Sequence, residues 1–346
     1  MIRFSEYVSP GHPDKVADYI SESLLDAYIK QDPNTRFAVE IQIKDKYVTL
    51  GGKVSSNAVL GEEDIAQTVR NAVNNIGYTK EYQDKWGVEN TICGDSLVIT
   101  SYISQQSREI AQGVNNEGWG DQGIFFGYAE PNDDTFGMPL DHTLAKRVNH
   151  LLFDSEIGGL DIKTQVVMDD DIVNEIIVAI PLMDSEDISK VEEIVRNSVK
   201  GDYHLIINGT GVFRKHSSIA DCGVTGRKLV VDFYGGNARI GGGAPFSKDG
   251  SKADLTLNLL ARYLAKKEAF KSGKAVETAI ACCIGKKEII VTSHILGTDI
   301  VKSEHLSISP SELIGTFDLN RPIFGSMCMW GLFGEFQQDK KWEQAV

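Results

Sequence analysis

Cysteine is scarce and poorly spaced in this chain of 346 residues. Of its five cysteines, only Cys282 and Cys283 are close in sequence, as direct neighbours, and no CxxC pair occurs. Disulfide frameworks and structural zinc sites are therefore not indicated, because both need cysteines at suitable spacings. This cysteine usage predicts a cytoplasmic protein.

Long apolar runs and an excess of positive charge are also missing. The longest apolar run, residues 176–183, is far shorter than the roughly 20 residues that a membrane-spanning helix requires. The first residues, MIRFSEYV, carry no apolar signal-peptide core. The net charge of −14 disfavours binding to nucleic acids or anionic membranes, which calls for a broad basic face. We therefore expect neither as a partner.

Common nucleotide-binding and hydrolase motifs are absent as well. The segment GAPFSKDGSK does not fit the phosphate-binding pattern G-x₄-G-K-[ST]. No GxGxxG follows a strand and opens a helix, and no GxSxG nucleophile motif occurs. Any phosphate site in this chain must be of another type.

The apolar pattern shows one arrangement of elements three times. Each unit is a helix, a β-hairpin and a second helix, with the hairpin turns near Asp45, Asp170 and Lys286. The predicted first helices cover residues 13–29, 140–153 and 252–270, and the second helices cover 61–77, 185–199 and 309–317. We predict an α+β fold of three similar subdomains of helices packed on β-hairpin sheets, arranged with pseudo-threefold symmetry. The predicted subdomains are residues 1–103, 114–220 and 221–346.

Irregular stretches separate these units at residues 81–90, 103–123 and 221–254. Binding residues tend to lie in such stretches, because a regular scaffold positions them. The polar residues 104–120 fit a mobile lid or, equally well, a plain connector.

The third irregular stretch, residues 221–254, combines glycines with positive charge. From Asp221 to Lys252 it has five cations against three aspartates, a local charge of +2 in a chain of −14. Cations beside glycines can hold a polyphosphate, because backbone amides approach closely there. The alternative is a glycine-rich surface loop with solvated lysines.

The sequence SPGHPDK places a histidine, a carboxylate and a lysine at a predicted helix start. Free amides and the helix dipole make such an end an anion site. His12 can donate a hydrogen bond to a phosphate oxygen, and Asp14 can hold Mg²⁺ against it. Asp14 alone could equally complement the helix dipole, but Asp254, at the start of another predicted helix, favours a metal–polyphosphate site.

Four segments resemble the signature blocks of the S-adenosylmethionine synthetase (methionine adenosyltransferase) family. They are GHPDK, GDQGIFFGYA, DCGVTGRKLVVDFYGG and GGGAPFSKDGSKAD, in family order and spread over nearly the whole chain. The resemblance implies three α+β subdomains about a pseudo-threefold axis. It also implies a homodimer or a dimer of dimers with active sites at the subunit interface.

The implied reaction makes S-adenosylmethionine from ATP and L-methionine. The methionine sulfur attacks C5′ of ATP and expels triphosphate, which is then hydrolysed to pyrophosphate and phosphate. Two Mg²⁺ ions and K⁺ are implied as cofactors. Positioning and fixed positive charge suit this chemistry, and no protein nucleophile is needed.

The resemblance also implies site residues, at the positions of this chain that match the family's motifs. Catalytic roles would fall to His12, Lys163, Arg227 and Lys248. ATP would contact His12, Asp161, Lys163, Phe213, Asp221, Arg227, Lys228, Ala244, Lys248 and Lys252. Methionine would contact Gln106, Asp121, Asp221 and Lys252, with Lys53 where the family has a glutamate. Asp14 and Asp254 would bind Mg²⁺, and Glu40 has the position linked to K⁺.

Some blocks depart from the family pattern. The family's GGEI-type block reads GGKV, which introduces Lys53, and GGGAFSGKD reads GGGAPFSKD, with Pro245 and Ser247. Leu255 replaces an arginine, and the carboxyl-terminal block reads WGLFGE. Two alternatives to an active synthetase follow: a member with an altered methionine pocket that takes another thioether or acts mainly on triphosphate, and a catalytically silent ATP-binding protein.

Overall fold

The computed structural model describes residues 1–106 and 117–345, with the side chains of residues 105 and 106 left out. The strands in this part of the chain are β1 (Ile2–Val8), β2 (Arg36–Lys44), β3 (Tyr47–Ser55), β4 (Val98–Gln106), β5 (Gly123–Ala129), β6 (Lys163–Asp169), β7 (Ile172–Ala179), β8 (His204–Ile207), β9 (Gly223–Val224), β10 (Val276–Cys282), β11 (Glu288–Ile295) and β12 (Val301–Ser307). The helices are α1 (Pro13–Gln31), α2 (Glu62–Ile76), α3 (Lys80–Trp86), α4 (Leu140–Asp154), α5 (Asp187–Ser198), α6 (Ser217–Ala220), α7 (Leu229–Asp232), α8 (Ala253–Ser272), α9 (Pro310–Thr316) and α10 (Phe324–Met329).

The described strands form three four-stranded sheets. Their orders are β4-β3-β2-β9, β1-β6-β7-β8 and β12-β11-β10-β5. Each sheet is built on one hairpin and takes a strand from a distant part of the chain. Strand β1 pairs antiparallel with β6, β5 with β10, and β9 with β2. The sheets thus exchange strands across the predicted subdomain boundaries, and the three residue ranges stay a prediction.

Each sheet buries one face under helices. Helices α1 and α2 contribute Val16, Ile20, Leu24, Val69 and Val73 to a core shared with the alternating buried residues of β2. Helix α8 packs on β5 and β10, and its apolar side chains join the same core. Helices α4 and α5 cover β6 and β7 over a second core. The fold is α+β, as predicted.

The predicted hairpins and helices are found within a few residues of their expected bounds. Asp45 and Asp170 adopt positive φ at the first two turns, and Gly285 does so at the third. The helix over residues 61–77 ends at Ile76 with Gly77 in the left-handed conformation.

All three stretches predicted to be irregular contain regular structure, and residues 221–254 include β9 and helix α7. Residues 81–90 include helix α3, which Thr79 caps by accepting the N–H of Tyr82. Residues 103–106 continue β4, because they pair in parallel with residues 52–55 of β3. The rest of the predicted lid, residues 107–116, lies outside the described residues. None of the helices in the described part of the chain is both long and apolar enough to span a bilayer.

Candidate active site

Helix α1 begins directly beside a buried histidine. His12 is the N-cap residue, and its Nδ1 accepts the backbone N–H of Asp14 at 3.1 Å. Burial lowers the pKa of His12 to about 2, with Lys228 and Lys163 contributing. The ring is therefore neutral at ordinary pH. Because Nδ1 accepts a bond, the ring proton lies on Nε2, which is free to donate to an anion.

Asp14 is buried at the same helix start and meets the glycine-rich loop. Its Oδ1 accepts the N–H of Val224 at 2.9 Å, and its Oδ2 lies 2.6 Å from Nζ of Lys228. Gly223 allows this approach, because a Cβ there would come within 2.1 Å of the Pro13 carbonyl oxygen. The loop thus brings two cations to the helix start, since Nη1 of Arg227 lies 3.8 Å from Asp14.

The segment before β6 adds a buried carboxylate. Asp161 accepts the N–H of Ser217 through Oδ2 at 3.0 Å, while its buried Oδ1 has no hydrogen-bond partner among the described residues. Burial raises the pKa of Asp161 to about 6, an effect that Lys163 opposes and Asp221 increases. Backbone contacts bring this segment to the helix start, because Ser9 bonds to Leu160 and Ile162, and Val8 pairs with Lys163. Asp221 joins the group, because its N–H donates to the carbonyl of Ser217. We call the group the helix-start cluster: His12, Asp14, Asp161, Lys163, Asp221, Arg227 and Lys228.

A second group of predicted residues lines a cavity of about 810 Å³. Its walls include Asp121, Lys248, Lys252 and Asp254, and we call it the lysine cavity. Asp254 stands in the first turn of α8 and accepts Nζ of Lys248 at 2.5 Å. Gly243 must lack a side chain here, because its Cβ would lie 2.0 Å from the Asp254 carboxylate.

Glu40 lies between the two groups on β2. Its Oε2 accepts hydroxyl hydrogen bonds from Thr225 and Ser247. These residues lie in two glycine-rich loops within the stretch 221–254, one at residues 221–228 and the other at residues 241–252. Along β2, Gln42 pairs with Val224 and Ala38 bridges to Lys248. The four residue steps from Ala38 to Gln42 span roughly 13 Å along the strand, so the two loops are about that far apart. A nucleotide-sized ligand can therefore contact both loops.

No described contact joins three further predicted residues to these groups. Lys53 is exposed on β3 opposite Ala38, outside the cavity wall, and pairs with no described side chain. Phe213 is half-buried in the loop after β8, where its carbonyl accepts the N–H of Leu182. Gln106 ends β4, and its side chain lies outside the described residues. Ala244 lies close to Gly226, because a Cβ on Gly226 would come within 2.8 Å of the Ala244 Cβ.

The carboxylates fit the expected cations in chemical type. No cluster of three or more histidine, cysteine or acidic side chains is present among residues 1–106 and 117–345. Mg²⁺ in nucleotide sites commonly takes one or two carboxylates together with phosphates and water. Asp14 and Asp254 each already hold a lysine ammonium group and suit that role. The Glu40 carboxylate and its two hydroxyl neighbours are oxygen groups, which is the type of ligand that an alkali cation takes.

Several residues that shape these groups were not among the predicted ones. Arg36 lines the lysine cavity, and its Nη1 lies 3.6 Å from Oδ1 of Asp249. Asp18 and Glu22 are fully buried and hold backbone amides of the glycine-rich loops. A signal existed for this pair, because their i+4 spacing from Asp14 puts carboxylates on one helix face. No sequence pattern pointed to Arg36.

Comparison with known proteins gives consistent matches along the chain. Residues 1–108 match the family model described as S-adenosylmethionine synthetase, N-terminal domain, and residues 216–344 match that of the C-terminal domain. An S-adenosylmethionine synthase of Acholeplasma laidlawii is 36% identical, over 98% of this chain and 96% of the relative. One from Nitratidesulfovibrio vulgaris is 34% identical, with 98% and 94% covered.

A solved structure matches the fold throughout. It is described as an unusual S-adenosylmethionine synthetase from Campylobacter jejuni. The TM-score is 0.90 at 29% sequence identity, and the match covers 99% of this chain and 97% of the other.

Proposed function

The chain belongs to the S-adenosylmethionine synthetase family, and on this basis we propose that it makes S-adenosylmethionine from ATP and L-methionine. The methionine sulfur forms a bond to C5′ of ATP, and the bond from C5′ to the triphosphate oxygen breaks. Triphosphate leaves with the electron pair and is then hydrolysed to pyrophosphate and phosphate.

The observation that carries this proposal is the helix-start cluster. A neutral His12 with its proton on Nε2 stands beside Lys163, Arg227 and Lys228. Such an arrangement stabilises negative charge as it develops on a leaving triphosphate. No protein nucleophile takes part, so the side chains act by positioning and by fixed charge.

Residues of both groups contact ATP and methionine. The helix-start cluster, with Phe213 and Ala244, contacts ATP, and Lys248 and Lys252 reach it from the lysine cavity. Asp121 binds the methionine ammonium group, with Gln106, Asp221 and Lys252 as further contacts. Asp14 and Asp254 would hold Mg²⁺, whose charge would offset that of the phosphates, and Glu40 would hold K⁺.

A second candidate function rests on Lys53. This exposed cation has no described partner and stands where a carboxylate would attract an ammonium group. A substrate without that ammonium group, such as another thioether, suits it better, and so does a reaction directed mainly at triphosphate.

We also propose that two subunits build each active site. The sheet β4-β3-β2 has a face whose exposed side chains include Tyr47, Val98 and Tyr102. Glu40 and Lys53 are exposed among them on the same sheet. An exposed apolar face next to functional residues favours self-association, in which a twofold contact repeats the same surface on both partners.

The reaction is tested by incubating the protein with ATP, L-methionine, Mg²⁺ and K⁺ and measuring S-adenosylmethionine by mass spectrometry. We expect product together with pyrophosphate and phosphate. Parallel incubations with methionine analogues that lack the amine test the Lys53 alternative. A folded protein that binds ATP without forming any sulfonium product would overturn the proposal.

A further inference from the structure

One face of helix α1 holds both glycine-rich loops and the carboxyl-terminal region through carboxylates. The side chains follow each other at i+4 spacing: Asp14, Asp18, Glu22 and Asp26. Each accepts at least one backbone N–H from a distant segment, namely those of Val224, Gly226, Ser247 and the pair Phe324 and Gly325. The first three of these amides belong to the glycine-rich loops.

Asp18 fixes the loop that carries Arg227 and Lys228. It is fully buried, and its Oδ1 accepts the N–H of Gly226 at 2.9 Å. Its Oδ2 lies 3.2 Å from Nζ of Lys15, which compensates its charge. Gly226 has a φ of 73°, a conformation that glycine adopts without strain. The bond to Asp18 therefore selects one arrangement in a loop that could take several.

Glu22 fixes the loop that carries Lys248. Its Oε1 accepts the N–H of Ser247 at 2.5 Å, and its side chain is fully buried. Ser247 has a φ of 64°, which is unfavourable for a residue with a side chain, so the bond holds the loop in a strained conformation. Burial raises the pKa of Glu22 well above its usual range.

We propose that Asp18 and Glu22 are positioning residues for adenosyl transfer, which set the loop cations by binding the backbone amide before each cationic segment. This inference rests on the proposed function. This role gives a reason for burying two carboxylates beside a polyphosphate site, because burying apolar side chains there would cost less free energy. Without its acceptor the Ser247 amide is buried and unsatisfied, and Lys248 loses its fixed position.

Glu22 provides the sharper test. Glu22→Met removes the acceptor at similar volume, and Glu22→Gln keeps an oxygen that can accept the Ser247 N–H. Asp26→Leu is the matched control, because it removes the same kind of bond from the same helix at a segment away from the loops. Misplacing a charged group by about 1 Å can cost roughly 100-fold in rate. We expect kcat to fall about 10- to 100-fold in Glu22→Met, with near wild-type kcat in Glu22→Gln and Asp26→Leu.

Amide hydrogen exchange gives a readout that does not depend on activity. We expect faster exchange over residues 246–249 in Glu22→Met, and in Asp26→Leu only around residues 324–325. Thermal unfolding of all variants separates the kinetic loss from general destabilisation. Equal kcat losses in Glu22→Met and Asp26→Leu, or unchanged exchange over residues 246–249, would overturn the inference. A wild-type protein that makes no S-adenosylmethionine would overturn the proposed function instead, and the exchange comparison would still decide whether Glu22 anchors the loop.

Discussion

At the scale of single residues, His12 combines a structural and a chemical role. It caps α1, and its buried neutral ring keeps Nε2 free to donate. Asparagine also caps helices well, so His12→Asn preserves α1 while removing the imidazole donor. We expect turnover to fall about tenfold or more, since lost donors to developing charge cost 10²- to 10³-fold in other enzymes, with ATP affinity within about threefold. Single-turnover kinetics and calorimetric ATP binding measure both, and unchanged turnover would contradict the assigned role.

Lys53 is the departure from the family pattern that fits the expected methionine substrate least well. In the proposed site, Lys53 has the position of a methionine-binding glutamate, where a cation repels the substrate ammonium group. We expect Lys53→Glu to lower the methionine KM, about two- to tenfold for an exposed charge, and to leave the ATP KM unchanged. Lys46→Glu makes the same charge change at the exposed turn between β2 and β3 and serves as the control. A methionine KM that is unchanged or raised would mean that Lys53 points away from the substrate.

At the scale of elements, local pattern predicted the hairpins and most of the longer helices. Alternation and i+4 spacing are properties of neighbouring residues, so β2, β3 and α1 could be predicted directly. The exchanged strands β1, β5 and β9 depend on pairing with residues far along the chain, which no local pattern encodes.

The same limit applies to the candidate site. Residues in motif blocks, such as His12 and Lys248, could be predicted because their spacing and the family blocks single them out. The i+4 spacing of Asp18 and Glu22 from Asp14 shows that they share a face of an amphipathic helix, but not that this face is buried. Only the folded chain shows that they are buried against the loop amides.

Helix α8, which begins beside Asp254, is tied to the carboxyl-terminal segment by a buried ion triad. Arg262 donates to both Glu343 oxygens, at 2.8 and 3.0 Å, and Nζ of Lys266 lies 2.9 Å from Oε2. Glu343→Gln leaves two buried cations without a counter-charge, which costs about 3–5 kcal/mol. Urea unfolding should show this loss, whereas Asp339→Asn, at an exposed carboxylate that pairs with Lys340, should change stability by less than about 1 kcal/mol. A Glu343→Gln protein of wild-type stability would contradict the role of the triad.

Helix α4 buries a histidine whose protonation opposes folding. Burial lowers the pKa of His142 to about 3, so the unfolded chain binds its proton first as the pH falls. The contribution of His142 to stability is therefore complete above about pH 6.5 and is lost progressively below it. At pH 5 the loss is about 2 kcal/mol.

Replacing His142 by glutamine removes this pH dependence. We expect the stability difference between wild type and His142→Gln to shift by about 2 kcal/mol in favour of the variant between pH 8 and pH 5. Denaturant unfolding at both pH values measures it. His150→Gln, at a histidine that is not fully buried, is the control. A difference that stays constant with pH would contradict the assignment.

At the scale of the whole molecule, the exchanged strands join the three sheets into one body. Strand β9 leads from the sheet that carries Glu40 directly to Arg227 and Lys228, while α8 presents Asp254 to the lysine cavity. The helix-start cluster and the lysine cavity thus stand on either side of Glu40, which lies on the exposed face of a sheet. A twofold contact through this sheet would place the cluster of one subunit near the cavity of the other.

Heterodimers of two inactive variants decide whether one site draws on both subunits. His12→Asn disables the helix-start cluster and Lys248→Met disables the lysine cavity. If each site combines the cluster of one subunit with the cavity of the other, their heterodimer contains one site with both changes and one with neither. Purified through two different tags, it should recover about half of wild-type activity. A heterodimer of His12→Asn with Arg227→Met, both in the cluster, should stay inactive, because every site then carries one change. Failure of the first pair to recover activity, or a monomer in light scattering, would place the complete site within one chain.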